Sequence, residues 1–241
     1  MAVLQVPGGE LYYEIEGDGV PVVLVHGHAL DARMWDDQVP ALTDIARVVR
    51  YDARGFGRST RDADTSYSHA ADLWLLLDHL GIEQAALVGM SMGGRTAVEA
   101  TLAAPGRVLA LVLLDALLEG VPWDPESKRG MQAIREPLQA GDLAGAKAAW
   151  FDHGFFAPAK RNPDVARRLA EMLDDYSGVN WTSPDPHAPR PAASSFWARS
   201  PRRRPSSSPS GTSRASATCP TSWPPGSPAR ARSPCRASAT W

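Results

Sequence analysis

The first 218 residues contain no cysteine, and the chain's two, Cys219 and Cys235, lie in its final stretch outside any ordered framework. No disulfide scaffold is legible, and cysteine usage does not fix the redox compartment. No apolar run approaches the roughly 20 residues that a membrane helix requires. Residues 1–6 lack the basic region and the apolar length of a signal peptide. The expectation is a soluble, cytoplasmic protein with no membrane partner. A more local absence is sharper. Residues 191–241 contain no Leu, Ile, Val, Met, Asp, Glu, Lys or His, and consist largely of Ser, Pro, Ala and Arg. Eight arginines without an acid make this stretch basic, while the whole chain carries −2, so residues 1–190 carry −10.

What remains is ordinary. At 241 residues and 44% hydrophobic composition the chain can form one α/β domain with an insertion and a full core. Residues 3–6 and 11–16 are strand-like and joined through Pro7-Gly8-Gly9, which predicts an antiparallel hairpin. Residues 21–25 form a continuous apolar run of the kind buried in a parallel sheet, ending at His26-Gly27-His28. A helix is expected over residues 34–42, then a strand over 48–51 that ends at Asp52-Ala53-Arg54-Gly55-Phe56-Gly57-Arg58-Ser59. Residues 69–80 repeat Leu73, Leu76, Leu77 and Leu80 at helical spacing and stop at Gly81. A further strand is expected over 108–114.

The densest signal is Gly89-Met90-Ser91-Met92-Gly93. The apolar run 85–88 precedes it and the helical segment 95–103 follows, so a serine sits at the apex of a strand–turn–helix. A residue at such an apex is held in a strained conformation, and its neighbours two before and two after must lack side chains so that strand and helix can pass. The alternation as a whole predicts a doubly wound, mostly parallel sheet. After Asp115 the alternation stops: residues 127–176 are helical in pattern, with Trp150, Phe151, Phe155 and Phe156 at their centre. A helical lid fits this placement. The aromatics either line an apolar pocket or pack the lid's own core.

With these motifs in order, the chain resembles the α/β-hydrolase family, and most of all its small cofactor-independent, lid-bearing esterases and enol-lactonases. The resemblance covers about residues 10–185. It implies an α/β fold with residues 1–118 as core and 119–186 as lid, leaving 187–241 as a disordered tail with the last strands missing. It implies Ser91 as nucleophile, and the backbone N–H groups of His28 and Met92 as oxyanion donors. His28 acts through its backbone, so its imidazole has no assigned role. His26, Asp52 and Arg54 brace their loops, and His69, His79, His153 and His187 read as surface or lid residues. Trp150 and Phe155 shape a substrate pocket.

One departure stands out. Serine hydrolysis in this fold needs an acid and then a histidine after the nucleophile, and residues 188–241 offer neither. Asp115 occupies an alternative acid position; no histidine follows at a matching place. A shift of reading frame near residues 187–196 accounts for this. Moved by one base, TCN serine codons become NTC, which encode Phe, Leu, Ile or Val. Ser206-Ser207-Ser208 then reads as a buried strand, Ser210-Gly211-Thr212 as Val-Gly-Asp, and Ala239-Thr240-Trp241 as Gly-His-Met. A natural basic linker is the other reading of the same composition.

The expected function is therefore a serine hydrolase of small-molecule esters or lactones, impaired as written, with no metal or organic cofactor. A catalytically dead binding protein, a carbon–carbon bond hydrolase and a cofactor-free haloperoxidase-like enzyme share the elbow. Nucleic acid is not an expected partner, because the body is acidic and the tail carries no binding-module pattern.

Overall fold

The apolar run that follows Gly19 becomes β3 (Val20–Val25), whose last three residues are at most 1% exposed. Around it the computed structural model describes residues 1–117, 122 and 124–187, all within one unit, Met1–Ser200. The tail, its missing strands and its shifted frame fall on residues 188–241, outside the described residues.

β1 (Ala2–Val6) and β2 (Gly9–Glu16) form the expected antiparallel hairpin, turning at Gly8 with φ +76°. β4 (Ala46–Tyr51) pairs antiparallel with β2 and parallel with β3. The two-residue β5 (Thr60–Arg61), which has no sequence signal, adds to β2. β6 (Ala85–Met90) and β7 (Val108–Leu114) extend the parallel part, giving the order β1-β2-β4-β3-β6-β7.

The helix expected over 34–42 is instead two pieces, a 3₁₀ turn (Ala32–Trp35) and α1 (Val39–Thr43). Pro40 has no N–H to donate back, so it suits a first turn and breaks a longer helix. α2 (His69–His79) and α3 (Met92–Ala103) are the crossover helices that precede and follow β6. Leu73, Leu76 and Leu77 of α2 are fully buried, as their spacing requires. Beyond β7 the described residues are helical: α4 (Pro125–Gln139), α5 (Leu143–Asp152), α6 (Pro163–Asp175) and the short α7 (Val179–Thr182). Among the described residues no helix is long and apolar enough to cross a membrane.

β7 departs from its own sequence pattern. Val-Leu-Ala-Leu-Val-Leu-Leu is the composition of a strand covered on both faces. Yet Leu109, Leu111, Val112, Leu113 and Leu114 are 37–50% exposed, and among the described residues β7 is paired only with β6. Full burial of one such side chain contributes about 1.5–3 kcal/mol, so five half-exposed ones forgo several kcal/mol. An unpaired, uncharged strand edge is also a template for other chains.

The chain is expected to self-associate at tens of micromolar in light scattering and to melt below about 60 °C, the upper end of the common mesophile range. Leu111→Lys with Val112→Lys, one on each face of β7, is expected to shift it toward monomer. A monodisperse wild-type monomer with a sharp transition above that temperature contradicts the account.

Candidate active site

β3 lies between β4 and β6, and the chain runs from β3 first to β4 and only later to β6. The sheet's winding direction therefore reverses between β3 and β6, where open α/β sheets form a crevice beyond their strand ends. Val25 is paired with Gly89. Just beyond this pair, Gly27 and His28 of the loop after β3 and Ser91 of the turn after β6 line one cavity.

Ser91 has φ +52° and ψ −111°, a conformation that side chains rarely adopt. It is held there on both sides: its N–H donates to Leu114 O at 2.9 Å, and its carbonyl accepts from Leu117 N at 3.1 Å. A Cβ on Gly89 would enter the Gly93 carbonyl, and one on Gly93 would enter the carbonyl oxygens of Val25 and His26. The glycines are required by this crossing rather than by flexibility. Only Ala29, Ser91 and Asp115 are non-glycine residues with positive φ among the described residues. Ser91 and Asp115 line one cavity and Ala29 lies between two of its lining residues, His28 and Leu30; clustered strain of this kind marks functional sites.

That cavity is about 500 Å³ in volume, within the range of small-molecule sites. Ser91, Asp115 and His28 line it together with Trp150 and Phe155. Met92 is the first residue of α3 and is buried; among the described residues neither its N–H nor that of His28 meets an acceptor. Trp150 is 7% and Phe155 48% exposed. Asp115 follows β7 directly and is exposed. Ser91 Oγ makes no hydrogen bond to an imidazole or carboxylate among the described residues.

The loops around the serine are braced by buried polar groups. His26 is fully buried: its Nδ1–H donates to Gly27 O at 2.7 Å and its Nε2 accepts from Ala53 N at 2.8 Å. Both partners fix the neutral tautomer, and burial pushes its pKa below the ordinary value. Asp52 accepts from the Ala32 and Arg58 amides, each at 2.8 Å. Arg54 forms a bidentate buried pair with Asp72 at 2.6 and 2.9 Å and donates to Pro7 O.

α5, the segment that follows it and α6 line the cavity through Trp150, Phe156, Leu169 and Met172. Arg168 of α6 reaches Asp37, and Arg33 reaches Asp31 and Asp175. The Arg168–Asp37 and Arg33–Asp175 pairs are exposed and contribute about 0–1 kcal/mol each; aromatic contacts add to them. Phe56 stacks on Tyr176 at 5.4 Å, and Trp181 meets Tyr176 edge-on at 5.0 Å. No motif singles out Tyr176 or Trp181 in the sequence; only their place at the end of the helical region puts them here. His69 differs from its reading as a surface or lid residue. It is 4% exposed at the start of α2, with its ring 4.7 Å from that of His187, because its neighbours Ala70 and Leu73 face the core.

The chain is similar to known proteins of one fold family. Residues 20–205 match the family described as alpha/beta hydrolase fold. The chain is 32% identical over 171 residues to a putative carbamate hydrolase RutD of Variovorax paradoxus, covering 68% of the chain and 62% of that protein. It is 39% identical over 167 residues to the 2-hydroxymuconate semialdehyde hydrolase of Pseudomonas sp. (strain CF600), covering 66% and 52% respectively. The matched stretch thus spans between half and two thirds of these relatives' length. A hydrolase from Pseudomonas aeruginosa PA01 is similar in structure, with a TM-score of 0.61 and 30% identity over 76% of this chain and 72% of that one.

His26, His28, His69 and His187 are all held below the ordinary histidine value of 6.5, burial being the largest cause. Unfolded, each takes up a proton near that pH; folded, each stays neutral to lower pH. The unfolded state therefore binds more protons in this window, and stability falls as pH falls from about 6.5. Each such group removes about 1.4 kcal/mol per pH unit. The urea midpoint is expected to drop steadily between pH 7 and pH 5; a flat midpoint contradicts the burial of these rings.

Proposed function

The chain belongs to the α/β-hydrolase fold family, and on that premise we propose that it is a serine hydrolase of small esters or lactones. The observation that carries the reading is the strained turn at Ser91, opening into a cavity that His28 and Asp115 also line. In the proposed reaction Ser91 Oγ adds to the carbonyl carbon and its proton passes to a base. The oxyanion is received by the Met92 and His28 N–H groups. The helix dipole of α3 favours negative charge there as well. Collapse releases the alcohol or enol, which takes up the proton, and leaves an acyl ester on Ser91; water then cleaves that ester. Trp150 and Phe155 supply apolar wall for the acyl chain. Asp115 is the carboxylate best placed to orient a base.

The base is the missing part. Residues 188–241 contain no histidine, and no described imidazole bonds to Ser91 Oγ. The oxyanion donors and substrate binding alone supply about 10³–10⁴-fold over water. That is the activity expected of the chain as written. The division into core, lid and tail at residues 118 and 186 belongs to the same proposal, as does an acidic body without nucleic-acid partners. Carbon–carbon bond hydrolysis is the second reading, favoured by the 39% identity to the 2-hydroxymuconate semialdehyde hydrolase.

Hydrolysis of short p-nitrophenyl esters is the test, run on the chain as written and on a form whose tail is read in the shifted frame. Slow turnover of the first, fast turnover of the second and loss of both in Ser91→Ala are expected. Turnover unchanged by Ser91→Ala overturns the proposal. Fast turnover of the chain as written places the base within residues 1–187 and overturns the account of the tail.

A further inference from the structure

The reading above uses the backbone of His28 and leaves its imidazole idle, although the side chain is tightly specified. Trp181 Nε1–H donates to His28 Nε2 at 2.8 Å. An indole nitrogen only donates, so Nε2 presents its lone pair and, in the neutral ring, the proton is on Nδ1. The ring is neutral at ordinary pH because burial, reinforced by the charge of Arg95, pushes its pKa down to about 4. Its plane is fixed by Phe56 and Trp150, both edge-on, with centroids at 5.2 and 5.9 Å. Tyr176 adds a third edge-on contact at 6.3 Å. Among the described residues Nδ1–H has no acceptor, and His28 forms part of the cavity wall beside Ser91. Much of the remaining wall, including Leu30, Met34, Met90 and Leu169, is apolar. A donor locked in one tautomer and left unpaired is satisfied by whatever occupies the cavity.

We propose that His28 Nδ1–H is a substrate-binding donor, that Trp181 is the positioning residue that fixes its tautomer, and that the site selects carbonyl compounds carrying a second acceptor oxygen next to the carbonyl. The proposal rests on the cavity being the substrate site. It does not rest on Ser91 being the nucleophile.

The experiment uses the full chain with ¹⁵N-labelled histidine. Long-range ¹H–¹⁵N correlation is expected to show His28 as the Nδ1–H tautomer, and Trp181→Phe as a mixture of tautomers. Methoxyacetamide and butyramide differ only by an oxygen in place of a methylene, and neither is a good acyl donor. Methoxyacetamide is expected to bind roughly fivefold tighter, the worth of one neutral hydrogen bond, and to shift the Nδ1 resonance. His28→Phe keeps the ring packing and is expected to lose the preference; His28→Gln, which retains a donor, is expected to restore part of it. An Nε2–H tautomer in the wild type, or a preference that survives His28→Phe, overturns the proposal. The same titration in Ser91→Ala separates the two claims: a preserved preference supports this one even where ester hydrolysis proves independent of Ser91.

Discussion

The left-handed turn at Ser91 is the constraint on which the rest of the arrangement depends. A φ of +52° at a residue with a side chain is costly, of order 1–3 kcal/mol, and persists only where the surroundings over-determine it. Here the surroundings are the sheet. β6 is clamped between β3 and β7, with Gly89 opposite both Val25 and Leu113. The Ser91 amide and carbonyl are each bonded to the segment that leaves β7. The glycines at 89 and 93 remove the atoms that would otherwise hold strand and helix apart. Register, turn and helix start thus determine one another, and the cavity forms where the loops after β3, β6 and β7 converge.

The same dependence explains why β7 matters beyond its length. It holds the serine turn from one side, yet its aliphatic side chains are half-exposed. The site's rigidity therefore rests on a strand that is paired along one edge among the described residues. The basic stretch 191–241 contains no Leu, Ile, Val or Met. Composition and structure point the same way: the strand pattern of β7 requires a neighbour that residues 191–241, as written, are not equipped to supply.

Much of this was legible beforehand. The strands β6 and β7 follow from the apolar runs at 85–88 and 108–114, α2 from its leucine spacing, and the turn from glycines flanking a serine. Period and turn chemistry are local, and local signals are what a sequence carries. Beyond the two-residue β5, three features were not legible. The split of the expected helix over 34–42 depends on where Pro40 falls relative to a first turn. The interior place of His69 depends on which face of α2 meets the sheet. The bond from Trp181 to His28 joins residues 153 positions apart, and no spacing rule connects them. The proposed oxyanion donors are a mixed case, because the residue numbers come from motif order, whereas only the fold shows that neither N–H meets an acceptor among the described residues.

The central claim is that this strained turn presents a nucleophilic hydroxyl to a pocket able to hold an acyl group. Intact-mass analysis and peptide mapping after prolonged exposure to a fluorophosphonate test it most directly. The account predicts slow formation of a single adduct on the peptide that carries Ser91, absent from Ser91→Ala. An unmodified Ser91, or equal labelling of the Ser91→Ala chain, contradicts it.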